Sequence, residues 1–219
     1  MAAFLKKELE DNGFIVNEII DNLIIVENFI SAEELVAYFD IINKSTEDDW
    51  KKEYLDNLVP FCLEKFGRDD IENLVAEGKL EITQNWEDKN LKLTGHAVAD
   101  KICTRLRNIL DQASKSLELA DLKTFQRMYE GTELKAHTDQ DTDPSIRYAT
   151  IAYLNENYFG GEIFFTHKNL KLKPKPGSLL IFPGTEEFHH GVTHVEAGPI
   201  RYVLVGFIKE EEFYENNRY

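Results

Sequence analysis

The triplet His137-Thr-Asp139 sets an imidazole and a carboxylate two residues apart. In an extended strand residues i and i+2 face the same side, so the two groups project together and can take adjacent positions on a metal ion. The spacing is weak evidence when taken alone. With 6 His and 40 acidic residues in 219, a His-x-acid triplet arises about once by chance, the false positive expected of short motifs. It occurs twice, the other copy being His194-Val-Glu196, and the residues downstream separate the two. Beyond His137 lie His189 and His190 and then Arg201, whereas no histidine stands beyond His194. Two neutral imidazoles and one carboxylate occupy one face of an octahedral ferrous ion and leave three positions open. A 2-oxoacid can chelate through two of them and dioxygen can take the last. A second carboxylate at the far end of that acid, once buried, needs a fixed cation, and the planar fork of Arg201 provides paired, charge-assisted hydrogen bonds.

Such groups have to be held by a β framework. From residue 122 onward the chain shows short β-type runs at 122–129, 134–138, 146–154, 162–165, 178–182, 191–195 and 201–208. Turn signals separate them: Glu130-Gly131, Asp143-Pro144, Gly160-Gly161, Pro176-Gly177, Pro183-Gly184 and Gly198-Pro199. Seven short strands with close turns predict a sandwich or barrel. The first 120 residues have another texture. The β-branched run in 22–30 predicts a buried strand. Ser31 with Glu34 three residues on is a capping-box signature, so a helix starts there, with Leu35, Tyr38, Phe39 and Ile42 on its apolar side. Residues 49–77 read as helical, broken near Gly67. Residues 94–119 form the clearest helix, with Val98, Ile102, Leu106, Ile109, Ala113 and Leu117 on one stripe. No repeat, low-complexity tract or long linker interrupts the chain. One domain over 1–219 is expected, helix-rich in 1–120 and β in 121–210.

Composition narrows the classes further. With 42% apolar and 11% aromatic residues the chain folds around a core. A net charge of −15 opposes binding to nucleic acid or an anionic membrane, both of which need basic surface; it would attract a basic peptide or protein, but such a surface is more often a solubility feature and identifies no partner. Cys62 and Cys103 make neither a disulfide framework nor a zinc site and read as buried thiols within helices. The N-terminus turns acidic too soon for a signal peptide, and no stretch approaches membrane-spanning length, so a soluble, cytosol-like compartment is expected.

The stretch 129–207 resembles the catalytic half of prolyl-4-hydroxylase-like 2-oxoglutarate/Fe(II) dioxygenases. The matching pieces are Tyr129-Glu-Gly, His137-Thr-Asp139, Ala149-Thr-Ile-Ala-Tyr153-Leu-Asn155, Gly160-Gly-Glu162-Ile-Phe164, Pro176-Gly-Ser-Leu-Leu-Ile-Phe182 and His190-Gly-Val-Thr-His-Val195-Glu-Ala-Gly198-Pro-Ile-Arg201-Tyr202. The run 23–39 also resembles that family's strand-then-helix entry. The resemblance implies a mainly β fold with buttressing helices, a double-stranded β-helix of jelly-roll, cupin-like form. It implies Fe(II), 2-oxoglutarate and O2 as cofactors, with room for ascorbate as an accessory. His137, Asp139 and His190 then resemble the iron ligands, Arg201 the anchor of the distal carboxylate, and Tyr153 and Tyr129 tyrosines that contact the co-substrate. Gly160-Gly161 becomes a tight turn and Glu162 a structural or rim residue. The reaction implied is hydroxylation of an unactivated C–H bond, with a prolyl residue of a peptide or protein as substrate.

The chain departs from that pattern twice. Pro199 and Ile200 both stand between Gly198 and Arg201, one residue more than the family has, and one extra residue flips a strand side chain unless a bulge absorbs it. Arg147 is the alternative anchor. The helical stretch 48–93 has no family counterpart. His189 competes with His190, but only His190 has the family spacing to Val195 and Gly198. His194, His96 and His167 read as surface histidines. The run Asp139-Gln-Asp141-Thr-Asp143 lacks the Gly and distal Glu of a calcium loop and reads as a solvated loop with Asp139 alone on the metal. The rival functions are hydroxylation of a free amino acid or small molecule, and metal or ligand binding without oxidation. Halogenation is disfavoured, because Asp139 fills the position a halide needs.

Overall fold

The computed structural model describes residues 2–52, 89–92, 96–120, 122 and 124–210. Helix α1 (Ala2–Asp11) buries Leu5 and Leu9, one turn apart, and leads into strand β1 (Ile15–Ile20). A tight turn with Asn22 at φ 67° returns the chain as β2 (Leu23–Glu27), the buried strand expected from its β-branched run. Asn tolerates this left-handed conformation better than other side chains. Helix α2 (Ala32–Lys44) opens on the predicted capping box. The Glu34 amide donates to Ser31 Oγ at 3.2 Å, and the Ser31 amide donates back to Glu34 Oε2 at 2.9 Å. α1 and β1 were not anticipated.

The long helix α3 (Ala97–Ala113) is shorter than the expected 94–119. Its stripe Ile102, Leu106, Ile109 and Ala113 is buried as predicted, but Leu117 sits on a strand, β5 (Leu117–Leu119). After Ser114 the chain trades helical bonds for a ladder with residues 208–210, and a non-local partner outweighs the helical stripe. Cys103 is buried on α3, while Cys62 lies outside the described residues. Most of the helical reading of 49–77 also lies outside them. The described edges of the longer stretch 48–93, also read as helical, are extended: β3 (Lys51–Lys52) pairs with β4 (Lys89–Lys92), and β4 pairs with β6 (Thr124–Met128).

The remaining elements are β7 (Leu134–His137), the single helical turn α4 (Asp139–Thr142), β8 (Ile146–Tyr153), β9 (Ile163–Phe165), β10 (Leu170–Leu172), β11 (Leu179–Pro183), β12 (His190–Val192) and β13 (Arg201–Glu210). All seven predicted strands are present, with β10 additional. They form two antiparallel sheets. The larger runs β1-β2-β11-β8-β13-β6-β4-β3, with β5 joined to β13, and the smaller runs β10-β9-β12-β7. This is the expected jelly-roll arrangement.

Alternation along β8 and β13 divides the interior in two. Ala149, Ile151, Tyr153 and Val203 face the small sheet and pack with Ile163, Phe165, Leu180, Phe182 and Phe188. Tyr148, Ala152, Leu204 and Ile208 face the opposite way and pack with α1, α2 and α3. No helix among the described residues is long and apolar enough to cross a membrane.

One polar junction ties the helices together. Glu34 of α2 accepts from Arg105 of α3 at 2.6 and 3.1 Å and from Lys101 at 2.8 Å, besides the Ser31 amide. Burial works against its charge, but the hydrogen bonds from Arg105, Lys101 and Ser31 outweigh it and hold the carboxyl at about 2, below its ordinary 4.5. A carboxyl held below its unfolded value stabilises the fold above that value and stops doing so as pH falls toward 2. Glu34→Ala should therefore lower stability at pH 7 by about 2 kcal/mol. Thermal unfolding at pH 7 and pH 3 checks this: the deficit should shrink at pH 3, and an equal deficit at both would assign the loss to packing.

Candidate metal centre

β7 ends on His137 and β12 begins on His190, and the two are directly opposite across the antiparallel pair. Their ring centroids are 4.6 Å apart. Asp139 starts the single turn α4 and is turned inward, where its backbone neighbour Gln140 donates to the Gly184 carbonyl at 3.1 Å. Asp139 Oδ1 lies 3.7 Å from His137 Nε2, and Oδ2 lies 3.9 Å from His190 Nε2. One donor atom from each of the three falls within 4.8 Å of the others.

Backbone carbonyls orient both imidazoles. His137 Nδ1 lies 3.0 Å from the Lys135 carbonyl and His190 Nδ1 lies 3.0 Å from the Phe188 carbonyl. A carbonyl only accepts, so each Nδ1 carries the proton and each Nε2 lone pair faces the cluster. Burial lowers the proton affinity of His137, and burial with the neighbouring His137 pushes His190 to about 3, so both rings are neutral. Phe182 stands edge-on to His190 at 4.6 Å, with Phe165 at 5.9 Å. Among the described residues Asp139 Oδ2 is buried without a hydrogen bond, and burial pushes this carboxyl up to about 7. A buried oxygen with no donor, between two imidazole lone pairs, is poorly suited to an empty polar core and well suited to a divalent cation. The donor set fits Fe(II). The side chain of His137 is 26% exposed, against 7% and 6% for Asp139 and His190, so the cluster opens to solvent past His137.

The other histidines point elsewhere. His189 faces away, its Nδ1 2.9 Å from the Thr166 hydroxyl. His167 meets Glu186 at 3.0 Å. His194 is exposed and serves through its backbone, accepting from the Gly161 amide at 3.1 Å. His96 precedes α3 without a side-chain cap bond.

Arg201 keeps the inward register. The extra residue falls in the turn before β13 and not in the strand, whose first pair is Arg201 opposite Met128, so Arg201 shares a face with Val203. It is 1% exposed and is the largest fully buried side chain among the described residues. Nε donates to the Gly161 carbonyl at 3.1 Å and Nη1 lies 3.3 Å from Met128 Sδ. Among the described residues no carboxylate comes within ion-pair distance of it. A buried cation without an anion is costly, and a ligand carboxylate would remove that cost. Tyr153, its ring centroid 5.5 Å from the guanidinium carbon, has a buried hydroxyl with no partner among the described residues. Arg147, the alternative anchor, is bound to Glu210 and the Pro144 carbonyl.

The structure groups Tyr129 with Arg127 and not with Arg201. The Arg127 guanidinium lies 5.0 Å from the Tyr129 ring and 4.1 Å from Trp50, on the helix-covered side of the sheet. Tyr158, which the sequence did not single out, stands beside Arg201 at 5.9 Å. Gly160 and Gly161 form the expected turn, with φ of 62° and 65°, and a Cβ on Gly160 would lie 2.1 Å from the His194 carbonyl oxygen. Glu162 is a structural residue that accepts from the Thr193 hydroxyl at 2.6 Å.

Residues 124–209 match the family model of the 2OG-Fe(II) oxygenase superfamily. The matched segment is similar to that superfamily. It runs from β6 to β13 and contains His137, Asp139, His190 and Arg201. Superfamily chemistry draws on Fe(II), 2-oxoglutarate and O2, and the cluster is compatible with the iron. Solved structures share the fold across nearly the whole chain. A viral collagen prolyl hydroxylase from Paramecium Bursaria Chlorella virus-1, in complex with 2OG, superposes with a TM-score of 0.57 at 17% identity, covering 87% of this chain and 96% of that one. A Pseudomonas putida prolyl-4-hydroxylase gives 0.56 at 18% identity, with 96% and 99% covered. A Trichoplax adhaerens prolyl hydroxylase, in complex with a peptide fragment of the oxygen degradation domain of hypoxia inducible factor, gives 0.58 at 15% identity, with 100% and 93% covered. No curated protein matches the chain in sequence.

Proposed function

We propose that this protein is a 2-oxoglutarate- and Fe(II)-dependent dioxygenase that hydroxylates a prolyl residue of a peptide or protein. His137, Asp139 and His190 hold the iron, Arg201 and Tyr153 receive the distal carboxylate of 2-oxoglutarate, and residues 1–120 support a catalytic core formed by 121–210. The observation that carries this reading is the convergence of two neutral Nε2 atoms and an unpartnered carboxylate in the same jelly roll as a buried, unpaired Arg201. When bound, iron with 2-oxoglutarate and O2 supplies an oxidative decarboxylation, yielding succinate and CO2, that is coupled to C–H hydroxylation. The chain's own residues bind, orient and shield. The Lys135 and Phe188 carbonyls hold the imidazoles in the ligating tautomer, Arg201 fixes the co-substrate's orientation, and Phe165, Phe182 and Phe188 exclude water from one side.

A peptide substrate is supported by the fold shared with prolyl hydroxylases, one of them bound to a peptide. The net charge of −15 favours a cationic peptide. The test is anaerobic titration of the protein with Fe(II) and 2-oxoglutarate, following the visible metal-to-ligand charge-transfer band, with His137→Ala beside it. A band in the parent and none in the variant is expected. A folded parent without a band would overturn the iron assignment. Product analysis against peptide and free amino-acid panels then tests the substrate, and turnover of free amino acids alone would overturn the peptide.

A further inference from the structure

Beside Arg201 stands a group with no role in holding iron and none yet in holding the co-substrate. Tyr158 is 1% exposed and its hydroxyl has no hydrogen-bond partner among the described residues. Leaving a buried hydroxyl unsatisfied is costly, so such groups call for a reason. Here there are two, Tyr153 and Tyr158, and both flank the same guanidinium, whose carbon lies 5.5 and 5.9 Å from their ring centroids. In both, burial pushes the phenol up and the adjacent Arg201 charge pulls it down. A guanidinium only donates, and a phenol has one proton to give. Three donor groups thus meet with no acceptor for the phenol protons among the described residues.

The local backbone is built to hold Tyr158 in that position. Lys173 Nζ donates to the Tyr158 carbonyl and lies 4.2 Å over its ring. Gly161 gives Arg201 its carbonyl, and a Cβ there would meet Arg201 Cδ at 3.1 Å and Tyr158 Cε2 at 3.2 Å. The glycine therefore lets the arginine and the tyrosine close on one another. A tyrosine that only filled this space would lose nothing as phenylalanine.

We infer that Tyr158 is a second anchoring phenol of the dicarboxylate site, its hydroxyl joining Arg201 and Tyr153 on the distal carboxylate of a 2-oxo dicarboxylic acid. This rests on the proposed co-substrate assignment and adds a specificity residue to it: two phenols and a guanidinium select for the distal charge. Tyr158→Phe removes one oxygen and keeps the ring.

The experiment is an anaerobic titration of the Fe(II)-loaded full chain with 2-oxoglutarate and, separately, with 2-oxopentanoate, which has the same chain length but no distal carboxylate. Kd is read from the charge-transfer band. Tyr158→Phe should raise the Kd for 2-oxoglutarate about tenfold, as expected for one hydrogen bond to a charged group. It should leave the Kd for 2-oxopentanoate and for Fe(II) unchanged. Unaltered 2-oxoglutarate binding, or an equal loss for both acids, would overturn the role of Tyr158. Arg201→Gln separates this from failure of the underlying reading. If that variant loses its preference for 2-oxoglutarate and Tyr158→Phe keeps it, Tyr158 alone is removed from the site. If Arg201→Gln keeps the preference, or the parent shows no band with either acid, the co-substrate assignment falls and Tyr158 with it.

Discussion

At pH 8 and without metal, Asp139→Ala is expected to unfold at a higher temperature than the parent while having lost Fe(II)-dependent turnover of 2-oxoglutarate. The two effects have one cause. Burial raises the Asp139 carboxyl from its ordinary 3.8 to about 7, because its charge is desolvated and Oδ2 has no donor. For an acid raised in the folded state, the unfolded chain gives up its proton first. Metal-free stability therefore falls as pH rises from about 4 to about 7, and the full penalty of roughly 4 kcal/mol is present above that. Alanine removes the penalty and keeps the Cβ that packs against Gly184. The gain should vanish near pH 4, where the carboxyl is neutral in both states. His190, pushed down to about 3 from its ordinary 6.5, contributes its own loss of stability below pH 6.5, but equally in parent and variant. Their difference isolates Asp139.

Iron reverses the sign. Binding needs the ionised carboxylate, so Fe(II) affinity of the parent should rise about tenfold per pH unit until about pH 7 and then level. Since loss of a group that merely supports a ligand costs about 10–100-fold, loss of the ligand should cost more than about a hundredfold. Thermal unfolding in chelator at pH 8 and pH 4, with an Fe(II) titration beside it, checks the pair. A variant less stable than the parent at pH 8 and still active would remove Asp139 from the metal centre.

Arg201→Gln is the second substitution with opposed effects. The ligand-free variant should be as stable as the parent or more so, since the parent buries a cation with no carboxylate near it among the described residues. Binding of 2-oxoglutarate should weaken by about a hundredfold to a thousandfold, the cost of removing one partner from a buried, hydrogen-bonded charge pair. Unfolding in the presence of Fe(II) shows both. A ligand at a hundred times its Kd stabilises by about 2.7 kcal/mol, so the parent's midpoint should climb with 2-oxoglutarate and the variant's should not. Arg147→Gln, which removes the pair with Glu210 and the bond to the Pro144 carbonyl, should respond like the parent. An Arg201→Gln protein that unfolds early without ligand, yet still gains the parent's shift from 2-oxoglutarate, would make Arg201 a structural residue.

Features closed within a few residues were legible from the chain. The capping box at Ser31 and Glu34 needs only one helical turn, and it forms as read. His137 and Asp139 share a side because strand geometry has a period of two. Spacing favours His190 over His189, and in the ladder His190 stands opposite His137 while its neighbour His189 meets Thr166. The strands of the β half were recognisable because each alternates and ends at a turn signal.

Other features depend on partners far along the chain. Leu117 continues the α3 stripe by spacing, yet backbone pairing with Ile208–Glu210 draws it into a strand. The described edges of the stretch read as helical, β3 and β4, are likewise extended because a sheet edge at β6 is available to them. Whether Arg201 faced inward could not be read from Gly198-Pro-Ile-Arg201. Strand register is set by the ladder, here Met128 on one side and the Val203–Tyr153 pair on the other. Tyr129 and Tyr158 show the same limit. A tyrosine beside a turn can swing to either face of a sheet, and nothing nearby in sequence shows which cation it will meet. Donor types and their order could be read from local chemistry. Which of those donors meet around one buried charge was set by contacts between residues up to 73 positions apart, such as Met128 and Arg201.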